Sequence, residues 1–372
     1  MRIVELTEST KKNLLKDLLK RSPSSYGTYE QTVSEIVNNV KENGDKAVFE
    51  YTEKFDHFAL NSGNIRVTEE EIKEAYKEIP EDLIEVYRHS AANIRTFHEK
   101  QLRQSFIETR PDGSILGQRI TPIEKAGVYV PGGKAAYPSS VLMNVVPAKV
   151  AGVPKIVMTT PCNKEGKVNA GTLVAADIAG VDEIYKVGGA QAIAALAFGT
   201  ESVPKVDKIT GPGNIFVALA KKAVYGHVSI DSVAGPSEIL VLADEMANPR
   251  YVAADLLSQA EHDELASAIL ITTSKDLAEK VSKEVDGFTE TLERREIILK
   301  SLSNYGYILV AENMEDAIAE YCEAHGQPIP ETYGEVVRCV LQSLVLRYKQ
   351  GIDQLNRLLP APVEQLNIIG GG

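Results

Sequence analysis

Cysteine is scarce. Cys162, Cys322 and Cys339 are the only three in 372 residues, too few, odd in number and too far apart for a disulfide framework, and none shows C-x-x-C metal spacing. A reducing cytoplasm fits that usage. Basic charge is also short: 40 Lys and Arg against 52 Asp and Glu leave a net charge of −12. No basic patch offsets it, so a nucleic-acid or anionic-membrane partner is not expected. The amino terminus MRIVELTEST has no basic-then-apolar leader pattern, and no apolar run nears the roughly 18 residues that cross a bilayer. Repeats of 20–50 residues and low-complexity tracts are missing too. What remains is 44% apolar and 25% charged, the balance of a folded soluble protein large enough for two or three packed units.

From 29 to 106 charged residues alternate with apolar ones at helical spacing, as in Val33, Ile36, Val37, Val40, then Val48, Tyr51 and Phe55. That pattern predicts amphipathic helices. The middle changes character. Short β-rich runs at 155–160, 183–187, 208–210 and 238–243 end in Gly, Pro or Asp and alternate with Ala-rich stretches, which predicts parallel βαβ units. Runs at 267–273 and 307–311, separated by a charged helical stretch at 276–299, continue the α/β pattern.

Four Gly-rich turns punctuate these runs: Pro131-Gly132-Gly133, Gly188-Gly189-Ala190-Gln191, Gly211-Pro212-Gly213-Asn214 and Ala234-Gly235-Pro236-Ser237. None reads G-x-G-x-x-G. Each can be a tight strand-to-helix turn that needs positive φ. Together, with Gln191, Asn214 and Ser237 beside the glycines, they can instead form a rim of N–H groups for a dinucleotide or small polar substrate. Such ligands bind beyond the carboxyl ends of parallel strands.

Asn248-Pro249 reads as a helix start, with Asn capping and Pro tolerated at the first position. Over a helix running to about residue 262, Asp255, Gln259 and His262 fall within roughly 60° beside the apolar strip Val252, Leu256 and Ala260. That edge is either ordinary solvated surface or a pair of metal donors, Gln259 by its amide oxygen and His262 by a neutral imidazole. Two ligands alone do not make a zinc site.

Six ordered blocks carry a resemblance: GVYVPGG (127–133), YPSSVLMNVVPAKVAGV (137–153), VGGAQAIAALAFGT (187–200), KITGPGNIFV (208–217), DSVAGPSEILVLAD (231–244) and DLLSQAEHD (255–263). From about 29 to about 315 the chain resembles histidinol dehydrogenase. The resemblance implies NAD- and zinc-dependent oxidation of L-histidinol through L-histidinaldehyde to L-histidine. It places Tyr129, Gln191 and Asn214 at NAD contacts, Ser237 at a substrate contact, and Gln259 and His262 at contacts to both zinc and substrate. It also implies a homodimer.

The family's catalytic Glu-His pair falls at Gln327 and Pro328, neither of which can act as a base, so no catalytic residue is assigned. The family's remaining zinc ligands, an Asp and a His, find no counterpart later, and His325 reads as a surface residue. The segment 317–372 resembles instead the carboxy-terminal domain of rhamnulokinase-type sugar kinases, with a two-sided apolar helix at 335–358 and a strand at 365–369 before a terminal Gly triplet. The expectation is a fusion of incomplete genes, or an assembly error, joined between 310 and 321.

The expected architecture is α/β: two Rossmann-like parallel-sheet units, one inserted in the other. It comprises a helical arm over 1–28, a first unit of 29–128 plus 237–316, a second of 129–236, and a helix-strand tail at 317–372. Two functional readings follow: an impaired dehydrogenase with a weakened dimer, or an inactive remnant keeping only NAD or imidazole binding. A sugar-kinase fragment would explain the tail alone.

Overall fold

The computed structural model describes residues 1–5, 27–132, 137–233 and 237–311. The chain opens with a short strand, β1 (Arg2–Glu5). Helix α1 (Gly27–Asp56) follows and is broken at Gly44, whose φ is +52°. Helix α2 (Glu69–Glu78) begins with a reciprocal cap: the Glu71 N–H donates to the Thr68 hydroxyl, and the Thr68 N–H donates to the Glu71 carboxylate, satisfying two N–H groups that a bare helix end leaves open. Helix α3 (Glu81–Glu99) leads to an exposed antiparallel hairpin, β2 (Phe106–Thr109) and β3 (Ile115–Gln118).

Then strands and helices alternate. They are β4 (Lys125–Tyr129), α4 (Pro138–Val150), β5 (Lys155–Thr159), α5 (Ala170–Ala179), β6 (Glu183–Tyr185), α6 (Gly189–Phe198), β7 (Lys208–Thr210), α7 (Ile215–Val224) and β8 (Ser229–Ile230). The five strands form one parallel sheet in the order β6-β5-β4-β7-β8. Alternate residues feed opposite layers: Val128 and Met158 join the core with α4 and α5, while Tyr129 and Val157 join the core with α1 and α6. A sheet covered on both faces explains why its strands read as continuous apolar runs.

The remaining elements are β9 (Glu238–Leu242), α8 (Pro249–Ala260), β10 (Ser267–Thr272), α9 (Lys275–Thr291), α10 (Arg295–Tyr305) and β11 (Gly306–Val310). With β1 they make a second parallel sheet, β1-β11-β10-β9. Its core is built from Val252, Leu256, Leu270, Val281, Ile298 and Ile308.

The α/β class, the parallel sheets and the insertion of one unit in another agree with the sequence reading; the boundaries differ. Contacts divide the chain into Pro23–Gly235 and a second unit of Met1–Ser22 with Pro236–Gly372. Residues 29–128 therefore go with the five-stranded sheet rather than with 237–316. The reason is the apolar stripe of α1: Val33, Val37 and Val40 share one core with Ala192, Ile193 and Leu196 of α6. Residues 2–5 are a strand, not part of a helical arm, because Ile3 and Val4 extend β11 in parallel register with Ile308 and Leu309. The helical stretch at 276–299 is two helices, α9 and α10. The tail expected at 317–372, with Gln327 and Pro328, lies outside the described residues.

Candidate functional site

The five-stranded sheet is wound from its middle. β5 and β6 are added on one side of β4, β7 and β8 on the other, so the carboxyl ends of β4 and β7 flank the point where the winding reverses, the place where parallel sheets take ligands. Three of the sequence-predicted residues meet this edge. Tyr129 is the last residue of β4 and is buried; its phenol oxygen accepts a hydrogen bond from the Gly189 N–H at 3.2 Å. Burial pushes the Tyr129 hydroxyl up to about 12, so it stays protonated. Gln191 lies in the first turn of α6 and is buried. Asn214 caps α7: its side-chain oxygen accepts from the N–H groups of Phe216 and Val217 at 3.1 and 3.2 Å, and the residue is exposed.

The turn after β7 is held from behind. Gly211, with φ +119°, presses against the Tyr129 carbonyl where no Cβ could stand. Its N–H donates to Asp231 Oδ2 at 2.9 Å, and its carbonyl accepts from Lys221 Nζ at 2.9 Å. Lys221 is itself buried and pairs with Asp231 Oδ1 at 2.6 Å. Two backbone groups and two opposite charges thus close a single ring of bonds under Asn214.

Sequence reasoning missed one residue on this edge. Asp56 ends α1, where an acidic side chain opposes the helix dipole; that misplaced charge was the signal available. Its Oδ2 is buried without a hydrogen-bond partner and lies 3.5 Å from where a Cβ on Gly188 would stand. Desolvation raises the carboxyl to about 6, with His57 pulling the other way. Thr159 Oγ1, at the end of β5, is likewise buried and unpaired. Pro161 packs against both Gly132 and Gly188, so side chains at those positions would collide with it. A cavity of about 690 Å³ opens beside Gly132, Thr160 and Cys162, with Glu71, Glu74 and Glu78 of α2 on its wall. Burial pushes the Cys162 thiol up to about 11, which makes it a poor nucleophile.

The other three sequence-predicted residues share the amino edge of the four-stranded sheet. Ser237 immediately precedes β9, and its carbonyl accepts from the Ser267 N–H that starts β10. Gln259 sits in the last turn of α8, which connects β9 to β10 and packs against both, and the His262 N–H donates to the Gln259 carbonyl at 3.1 Å. His262 stands just past the helix rather than on it, because α8 ends at Ala260 with Glu261 as its cap. It is exposed, and Gln259 is half-buried. No group of three His, Cys, Asp or Glu side chains able to hold a metal occurs among the described residues. Gln259 and His262 supply two donors where zinc takes four, so the described residues do not by themselves fit zinc.

Residues 19–324 match the family model described as histidinol dehydrogenase. A histidinol dehydrogenase of Clostridium acetobutylicum is 59% identical over 288 residues, covering 77% of this chain and 66% of that protein. One from Aquifex aeolicus is 53% identical over 340 residues, covering 91% of this chain and 78% of that protein. The crystal structure of histidinol dehydrogenase from Elizabethkingia anophelis superposes with a TM-score of 0.72 at 36% identity, over 88% of this chain and 74% of that one. The chain thus spans about two thirds to three quarters of the length of these relatives. The family match runs past the join expected between 310 and 321, and a match covering 91% of the chain must enter the segment 317–372. Nothing in these comparisons supports a sugar-kinase-like tail. By its family match and the identity of its relatives, the chain belongs to the histidinol dehydrogenase family.

Proposed function

We propose that this chain binds NAD at the carboxyl edge of the five-stranded sheet and carries substrate-facing residues for the oxidation of L-histidinol through L-histidinaldehyde to L-histidine. The observation behind the first half is the convergence of Tyr129, Gln191 and Asn214 at the point where the winding of the sheet reverses. The residues there fit a dinucleotide: one buried phenol, one buried amide, one exposed amide and two buried oxygens without partners. NAD, once bound, would accept hydride from the carbinol carbon. The protein's part is to hold the dinucleotide by these groups and to exclude water from it.

In the same reading Ser237, Gln259 and His262 contact substrate, and Gln259 and His262 contribute two of the donors to zinc. No step is routed through the metal, because the described donors fall short of a full set. A second reading is an inactive remnant that binds NAD or imidazole without turnover. Gln327 and Pro328, standing where the family has its Glu-His pair, favour it, since neither can move a proton. The sugar-kinase origin of 317–372 rests on its sequence alone and stands against the Aquifex match; sequencing across 310–321 in the source DNA tests it.

Titrating the protein with NADH and following nucleotide fluorescence tests the first claim. Following NADH formation from L-histidinol with added zinc tests the second. Binding without turnover selects the remnant, and turnover shows that other residues replace the pair. The homodimer that the family resemblance implies is expected to be weakened here: sedimentation should give a monomer or loose dimer, and a tight dimer at nanomolar concentration refutes that. No described helix is long and apolar enough to cross a membrane, and a cytoplasmic location remains part of the proposal.

A further inference from the structure

We infer that Asp56 is a ligand-binding carboxylate of the dinucleotide site, accepting hydrogen bonds from ribose hydroxyls. This rests on the reading that the carboxyl edge binds NAD. Three observations meet at one place. Asp56 Oδ2 is buried and has no partner. It lies 3.5 Å from the Cβ position of Gly188, the residue that caps α6 with no side-chain bond of its own. The next residue, Gly189, gives its N–H to the Tyr129 hydroxyl, so a carboxylate, a phenol and a helix amino terminus converge.

A buried carboxylate oxygen without a partner is costly to the free protein. The upward shift of the group to about 6 reflects that cost. A helix amino terminus alone would suit a phosphate. A carboxylate beside it repels phosphate and suits a neutral donor, and the neutral donors of a dinucleotide that come in adjacent pairs are the ribose hydroxyls. The same division of labour, acid to ribose and turn to phosphate, follows from charge alone.

The test compares the full-length protein with its Asp56→Asn variant at pH 7.5, measuring NADH affinity by fluorescence and thermal midpoint by circular dichroism. The expected result is that NADH binds about tenfold more weakly or worse while the thermal midpoint is unchanged or higher, because the variant no longer buries a lone charge. A purely structural Asp56 would lower midpoint and affinity together. Affinity within twofold of the unsubstituted protein, or a fall in both quantities, overturns the inference. Failure of the unsubstituted protein to bind NADH would instead remove the underlying reading of the site.

Discussion

Replacing Lys221 by Met tests whether the turn that carries Asn214 is clamped by the ion pair beneath it. Lys221 is buried and donates to both the Gly211 carbonyl and Asp231. Methionine keeps the length and apolar stem but leaves the Gly211 carbonyl without its donor and the Asp231 carboxylate without its counter-charge, held only by the N–H groups of Gly211 and Ser232. Breaking a buried pair by removing one partner costs about 3–5 kcal/mol. The Asp231 side chain is 31% exposed, so water recovers part of that, and a loss of about 2–3 kcal/mol is expected. The double variant Lys221→Met, Asp231→Asn should recover at least half of the loss, because the asparagine oxygen still accepts from the Gly211 N–H and no charge is stranded. Urea unfolding of the full chain, followed by far-ultraviolet circular dichroism, measures it, with two transitions allowed for two units. A loss below about 1 kcal/mol, or equal losses in the single and double variants, refutes the clamp. NADH affinity should fall in the single variant, since Asn214 lies three residues beyond the released turn.

Asn214→Ala removes the α7 cap and should cost about 1 kcal/mol along with NADH affinity, whereas Asn214→Asp should keep the cap; equal destabilisation of the two would contradict the bonds to Phe216 and Val217. The Asp56 carboxyl, raised to about 6 from 3.8, holds its proton more tightly folded than unfolded. Its stabilising contribution is therefore whole below about pH 4 and is lost as pH rises through about 6. Asp56→Asn should gain stability on the unsubstituted protein across that window and match it near pH 4, and an unchanged difference between pH 4 and 7.5 would show that Asp56 does not titrate there. If Gln259 and His262 supply zinc donors, His262→Ala should lower zinc content by elemental analysis while leaving the thermal midpoint nearly unmoved, because the side chain is exposed; equal zinc in both proteins would place the metal elsewhere.

Local pattern alone determined much of this protein. The βαβ alternation, the strands near 155, 183, 208, 238, 267 and 307, and the Asn-Pro start of α8 are visible in the sequence, because period, turn residues and caps are short-range signals. Gln191 and Asn214 could be singled out because each stands beside a Gly-rich turn, whereas Tyr129 was reached only through the family resemblance. Other features depend on contacts distant in the chain. β1 is a strand only because β11 stands beside it, and its four residues carry too little pattern to declare themselves. The helices of 27–99 look equally able to serve either sheet until α1 meets α6. The bond from Gly189 to Tyr129, the ring through Lys221, Asp231 and Gly211, and the lone carboxylate of Asp56 join groups from 10 to 60 residues apart or more. No spacing rule encodes such pairs. They exist because packing removes water from side chains that the sequence leaves far apart, and burial then makes each polar group find a partner or keep a place for one.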